Sequence, residues 1–486
     1  MITYSKKGNE GKLLPDLITA IQKSGLCDGM TISFHHSFRE GDQVMAQVLD
    51  AIHRVGIRNL RFAPSAVVNV RNLSLSKYVR DGTITEIEAS GIRGELGDEI
   101  LKGILEKPVI LRPHGGRPRA IENGELAIDV AFIGVSAADR EGNCTGLFGK
   151  NVCGPLGYSF IDAQTARCVV VITDTLVEYP CVPMSISQDF VDYVVQVESV
   201  GDSSLIGAGA ARLTKNPRDL LIAERTAQVI AASRRFRDGF VFQTGAGAVS
   251  IACASYLSQE MKKRKVQAAM ALGGIPAAVI QMYRDGLVRA IVCSQAFDQV
   301  AAKAVLEESG IFEIDNSLYC NSARKGCMLE QEDFGVLGAL EIDLEFNVNI
   351  LTGREGKMLG GLGGGPDVAD CAALSIVALP IIRGRIPTVV EKVLTCCTPG
   401  NTVAAVVTEA GIALNPRHKH YEELQEDLQR ARIRVATIKD LYQIARDLCG
   451  VPDPLPCTDR PVCVVQYRDG SVMDVIYQVR KGQDER

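Results

Sequence analysis

Short apolar runs alternate with longer amphipathic stretches along most of this chain. VVVITDTLV (169–177), VRAIVCS (288–294) and LSIVALPII (374–382) are continuous, β-rich and apolar. Strands buried on both faces read in this way. Val48 to Val55 and Ala252 to Met261 have the pattern of helices that follow a short strand. Strands alternating with helices predict an α/β fold with mainly parallel sheets covered on both faces. The end of the chain changes period. VCVVQYRDGSVMDVIYQV alternates around Asp469-Gly470, which is a hairpin signal.

The pattern also occurs twice. CDGMTISFHHSFREGD (27–42) has a counterpart in RDGFVFQTGAGAVS (237–250), DGTITEIEAS (81–90) in DGLVRAIVCS (285–294), and ADREGNCTG (138–146) in TGREGKMLG (352–360). The order is the same in both halves, as a duplicated domain would make it. A length of 486 residues is itself too great for one ordinary core. The expected division is 1–215 and 216–486, with the polar stretch Thr214 to Asp219 as linker.

Composition narrows the class. Apolar residues make up 46% and charged residues 23%, the balance of a soluble globular protein. No eighteen-residue apolar run is present, so no membrane span is expected. Met1 to Asn9 lacks the apolar core of a signal peptide. A net charge of −5 argues against nucleic acid as partner. Fifteen cysteines are scattered singly apart from Cys396-Cys397, which reads as reduced thiols in a cytoplasm. There is no C-x-x-C and no H-E-x-x-H, so no metal site is expected.

In open parallel sheets ligands bind beyond the carboxyl ends of strands, so the loops there carry the candidate chemistry. SFHHSFR (33–39) brings His35, His36 and Arg39 to one strand end. The duplicate position holds Gly245, Ala246 and Gly247, where backbone N–H groups can approach an anion or a thioester. The same strand–Gly-x-Gly–helix pattern resembles half a dinucleotide site, without the last glycine or an acidic partner. RPHGGRPRAIE (112–122) crowds Arg112, His114, Arg117 and Arg119 into one loop. It is either a solvated basic loop or a clamp for carboxylates or phosphates. GGLGGGPD (360–367), with Gly363, Gly364 and Asp367, is either a flexible turn or a cradle of backbone amides. No G-x-S-x-G, P-loop or Cys–His pair signals a hydrolase or kinase.

Taken together, DGMTISFHHSFREGD, LEKPVILRPHGGRPRAIENGEL, FQTGAGAVS, ALEIDLEFNVN, RIPTVVEKVLTCCTPGNTV and QYRDGSVMDVIYQV closely resemble the citrate lyase α-chain family, from about Lys12 to Lys481. The resemblance implies two duplicated coenzyme A transferase-like domains, related to the sugar-phosphate isomerase fold. It implies a reaction in which an acetyl thioester and citrate give a citryl thioester and acetate. The co-substrate would be a coenzyme-A-like arm on a γ acyl carrier protein, or acetyl-CoA in its place, with no permanently bound cofactor. A β chain would then cleave the citryl thioester within a cytoplasmic, oligomeric complex.

In that frame His35, His36, Arg39, Arg112, His114, Arg117 and Arg119 are expected to bind the carboxylates. The loops of Gly245, Ala246 and Gly247, and of Gly363, Gly364 and Asp367, are expected to serve catalysis, chiefly through backbone N–H groups that stabilise an oxyanion. The family has histidines where Ser37 and Gly365 stand here. The wider coenzyme A transferases carry a covalent glutamate where ALGGI (271–275) places Leu272, and the citrate lyase type does without it. Two other functions fit the same residues: a transferase or thioesterase for another acid such as citramalate, and a silent acid-binding scaffold.

Overall fold

The computed structural model describes residues 11–67, 74–207, 214–245 and 247–480. Thr31–Ser33 lies inside a ten-stranded sheet. Leu60–Phe62, Ile84–Ala89 and Val109–Leu111 follow it on one side; Val130–Val135, Cys168–Thr173, Tyr193–Gln196 and Leu13–Leu14 follow on the other. All of these pairings are parallel. The second sheet has eight strands and is built around Val241–Thr244. Ala268–Ile275, Val288–Ala296 and Ile311–Glu313 run out one way; Phe334–Leu337, Leu374–Ala378, Ala405–Val407 and Ile412–Leu414 run out the other. The strand order of the two sheets therefore corresponds, strand for strand, from the first to the seventh core strand.

The apolar runs become these strands because both sheet faces are covered. Every residue of Cys168–Thr173 and of Leu374–Ala378 is buried. Helix Val44–Val55 buries Val44, Met45, Val48, Leu49, Ala51 and Ile52 along one stripe, and stops at Gly56 in the left-handed conformation. It and its duplicate, Ala248–Arg264, begin about one turn before the segments expected from periodicity.

Two features differ from the expected division at 215/216. Pro217 opens helix Pro217–Ala232, with the Asn216 side chain accepting the Arg218 N–H at 3.0 Å, so most of the expected linker is a helix start. The terminal hairpin, Cys457–Gln466 with Val472–Val479, leaves the second half and pairs with Val109–Leu111. Its Cys463 and Val465 are fully buried there. Without it Val109–Leu111 would be an uncovered sheet edge. The hairpin is written in its own alternation, but the edge it covers is not.

All fifteen cysteines are free. Among the described residues no helix is long and apolar enough to cross a membrane, and no cluster of side chains suits a metal ion.

Candidate active site

Each sheet changes direction beside its first strand, between Thr31–Ser33 and Val130–Val135 in one and between Val241–Thr244 and Phe334–Leu337 in the other. Such switch points open a crevice at the carboxyl ends of strands. Here the two crevices face one another and merge into a cleft of about 430 Å³. Loops of the first sheet supply His36, Arg39, Ser90, Gly91, Arg93 and His114. Tyr158 joins them from the start of a short helix. Strand ends of the second sheet supply Gln243, Gly274 and Gln295, and the segments beyond its strands supply Gly245, Gly247, Phe297 and the run Gly360–Gly365.

The loops are held together across the sheets. The Leu362 N–H donates to the Ser90 carbonyl at 2.7 Å, and the His114 N–H to the Gly363 carbonyl at 2.9 Å. The Gln295 side-chain amide donates to the His36 carbonyl at 3.3 Å. Gly91 and Gly361 cross so closely that a Cβ on Gly91 would stand 2.3 Å from the Gly361 Cα.

The expected cationic residues separate into two groups. His36, Arg39 and His114 line the cleft. Arg39 has a left-handed backbone, φ 50°, and its guanidinium lies over the Phe297 ring at 5.4 Å. Burial lowers the pKa of Arg39 against the opposing pull of Glu40, whose carboxylate stands 3.7 Å from its Nε. Burial, together with His114 and Arg39 nearby, pushes the His36 imidazole well below its ordinary range; burial and Arg39 push His114 down to about 3. Both rings are therefore neutral at physiological pH.

His35, Arg112, Arg117 and Arg119 are not among the lining residues. Arg117 forms a fork onto Asp162 at 2.6 and 2.8 Å, and His35 Nε2 reaches the same carboxylate at 2.9 Å. Burial opposes ionisation of Asp162, but Arg117 and His35 outweigh it and hold the carboxyl well below the carboxylate range. Arg112 is paired with Glu88 at 3.0 and 2.8 Å and with Gln466 of the hairpin. Arg119 grips Glu125 at 2.6 and 2.7 Å. The clamp expected on 112–119 is thus satisfied by the protein's own carboxylates, except at His114.

The glycine loops divide too. The Gly245 N–H is committed to the Val336 carbonyl at 3.0 Å, so it is no oxyanion donor. Ala246 lies outside the described residues. Gly247 caps helix Ala248–Arg264, whose first N–H groups have no partner within the helix. Gly363, at φ +54°, and Gly364 line the cleft directly under His114. Asp367 does not line it. Its carboxylate accepts the Gly115 N–H at 2.9 Å and stands 3.5 Å from Arg468, and burial pushes it up to about 7 despite that arginine. It ties the 112–116 loop to helix Gly365–Cys371. Of the two departures from the family pattern, Gly365 lines the cleft and Ser37 is buried outside the lining.

Arg93, Tyr158 and Ser65 belong to no motif in the sequence. Arg93 lines the cleft, and among the described residues no carboxylate stands within ion-pair distance of it. Its position in the loop after ITEIEAS satisfied the strand-end rule, but one arginine in a loop carries no pattern. Tyr158 and Ser65 had no signal of their own.

A family model described as "Citrate lyase, alpha subunit (CitF)" matches residues 10–479. The chain belongs to the citrate lyase alpha-subunit family. The citrate lyase alpha chain of Escherichia coli (strain K12) is 47% identical over 99% of this chain and 93% of its own length. That of Klebsiella pneumoniae is 45% identical over 96% and 92%. A citrate lyase alpha subunit from Streptococcus mutans, solved in complex with citrate, superposes with a TM-score of 0.94 at 45% identity, covering 98% of this chain and 92% of that one. A malonate decarboxylase alpha subunit from Acinetobacter baumannii has a TM-score of 0.68 at 15% identity, over 91% and 94% of the two chains, and shares the fold. The α/β, mainly parallel architecture is thus that of the family.

Proposed function

We propose that this chain is the transferase subunit of a citrate lyase complex and exchanges acetyl for citryl on a coenzyme-A-like thioester. The observation that carries the reading is the cleft's charge: Arg39, Arg93 and Arg383 line it, and no aspartate or glutamate is among the lining residues. A tricarboxylate stripped of water without cationic partners would cost several kcal/mol per charge. A relative of 45% identity solved with citrate supports the choice of acid.

The acid needs no general base, because its carboxylates are ionised at neutral pH. A citrate carboxylate oxygen attacks the acetyl thioester carbonyl. The C–S bond breaks, leaving a mixed anhydride and a thiolate. The thiolate then attacks the citryl carbonyl and releases acetate. Each step builds negative charge on a carbonyl oxygen, so hydrogen-bond donors in a cleft closed to water are the main requirement. The co-substrate is the prosthetic arm of an acyl carrier subunit, or acetyl-CoA in its place, and a separate lyase subunit consumes the product.

Incubating the protein with acetyl-CoA and citrate should release acetate and form citryl-CoA in equal amounts, detected by mass spectrometry. Citramalate in place of citrate tests the choice of acid. Citrate binding without thioester exchange would leave only the silent scaffold.

A further inference from the structure

Two imidazoles in the cleft, His36 and His114, lie with ring centroids 6.2 Å apart, and the Tyr158 ring packs 4.8 Å from each. Each has one nitrogen held from behind. His36 Nδ1 is 2.6 Å from Ser65 Oγ, and the His36 backbone N–H also donates to that oxygen at 3.2 Å. His114 Nδ1 meets the Tyr158 hydroxyl.

The tautomers follow from counting protons. Ser65 is fully buried, and both hydrogen bonds of its hydroxyl are to His36. Were Nδ1 the donor, the hydroxyl would accept twice and its own proton would be left without an acceptor. That is costly in a buried position. Ser65 therefore donates to Nδ1, and the His36 proton sits on Nε2. At Tyr158 the buried hydroxyl meets both His114 Nδ1 and the Asn316 side chain; with the Asn316 amide N–H donating to it, its own proton goes to Nδ1, and His114 carries its proton on Nε2. Among the described residues neither Nε2 has a protein partner, and both histidines line the cleft.

We propose that His36 and His114, each fixed as an Nε2–H donor by Ser65 and Tyr158, form the pair of donors that stabilises the oxyanion of thioester transfer. This rests on the transferase reading above. The assignment to the oxyanion, rather than to a standing carboxylate, follows from charge. Arg39 and Arg93 are suited to carboxylates already ionised. A neutral donor gains little from the ground state and more from charge that develops during reaction. The backbone donor expected from Gly245 is not available, since its N–H is spent on Val336. Ser65 and Tyr158 are positioning residues: Ser65 does not line the cleft, and Tyr158, which does, spends its hydroxyl on His114.

The direct test is 15N NMR of protein labelled at its six histidines. Without ligand, two rings should show the neutral Nε2–H pattern, and Ser65→Ala and Tyr158→Phe should each perturb one of them. Two imidazolium or Nδ1–H patterns would overturn the proposal. The kinetic test uses the geometry of amides. The glutamine amide nitrogen mimics Nε2 and that of asparagine mimics Nδ1. His114→Gln should keep kcat within about tenfold, whereas His114→Asn should lose about a hundredfold, with the citrate KM little changed in both. Tyr158→Phe should lower kcat about tenfold in the natural protein but not further in His114→Gln, which has no Nδ1 to hold. A raised citrate KM at unchanged kcat would make the rings carboxylate ligands and overturn the oxyanion role. If the natural protein exchanges no acyl group at all, the transferase reading falls and the oxyanion role with it, while the NMR still decides the tautomers.

Discussion

Arg93 and Arg117 show why a cluster of cations is ambiguous at the level of single residues. Both follow strands of the first sheet, yet one faces the cleft with no ion partner among the described residues and the other is clamped by Asp162. Residue type and spacing record the charge, not the distant carboxylate that neutralises it. Asp162 lies 45 positions from Arg117 in the chain, beyond any local pattern. Substituting the two should separate the roles. Arg93→Ala should raise the citrate KM about tenfold or more, a loss of about 1.4 kcal/mol, with unfolding unchanged. Arg117→Ala strands a buried carboxylate and should cost about 3–5 kcal/mol in denaturant unfolding. An Arg117→Ala protein of full stability with weakened citrate binding would reverse the assignment. Asp42 supplies a pH-dependent case. Burial pushes its carboxyl up to about 7, even though it accepts the Met45 N–H at 3.0 Å. An unfolded aspartate titrates near 3.9, so the folded state holds the proton more tightly. The associated stability is fully present below about pH 4 and is lost as the pH rises through about 7, on the order of 4 kcal/mol. Asp42→Asn keeps an acceptor and removes the titration. Relative to the natural protein its unfolding free energy should rise between about pH 4 and 7 and level off above, as read from urea titrations across that range. A difference independent of pH would show Asp42 ionised throughout.

At the scale of elements, period and punctuation located most of the strands and the hairpin, because burial on both faces writes itself into unbroken apolar runs. Pairing was less accessible. Cys457–Gln466 carries the same alternation whichever edge it joins, and only the need to cover Val109–Leu111 decides it. In the sequence the glycine run 360–365 fits either a turn or a cradle. Its packing gives a third reason for glycine, since Gly361 passes over Gly91 with no room for a side chain. Gly91→Ala must push two backbones apart rather than a flexible side chain. It should cost about 1–3 kcal/mol and break the 2.7 Å bond from the Leu362 N–H to the Ser90 carbonyl. Thermal unfolding and acyl exchange measured on the one variant check both parts. Full activity with lowered stability would show that the loop's position in the cleft does not depend on this crossing.

The whole molecule faces two copies of one sheet across a cleft, and the copies have diverged at equivalent strand ends. At those strand ends one presents His36, Arg39, Arg93 and His114; the other presents Gly245, Gly274 and Gly247 at the start of helix Ala248–Arg264, with Arg383 as its one arginine in the lining. The duplication was readable from three matched segments, but their facing arrangement was not, since nothing local to either half describes the other. This arrangement bears on how the acyl group crosses. A covalent route needs a carboxylate at the end of Ala268–Ile275. Leu272 there is fully buried among Val241, Val292 and Tyr319, Gly273 has φ +90°, and Gly274 packs under Phe297. Glu332 is a buried carboxyl beside the Gln243 backbone, and burial holds it well above its ordinary range; it is not among the lining residues. The expected mechanism is therefore direct transfer between bound acid and bound thioester. Initial-rate plots against both substrates should intersect, where a covalent carrier would give parallel lines. Borohydride added with acetyl-CoA alone should not inactivate the enzyme, and Glu332→Gln should keep its activity. Parallel lines, with borohydride inactivation that Glu332→Gln abolishes, would instead make that buried glutamate the acyl carrier and require the cleft floor to open during turnover.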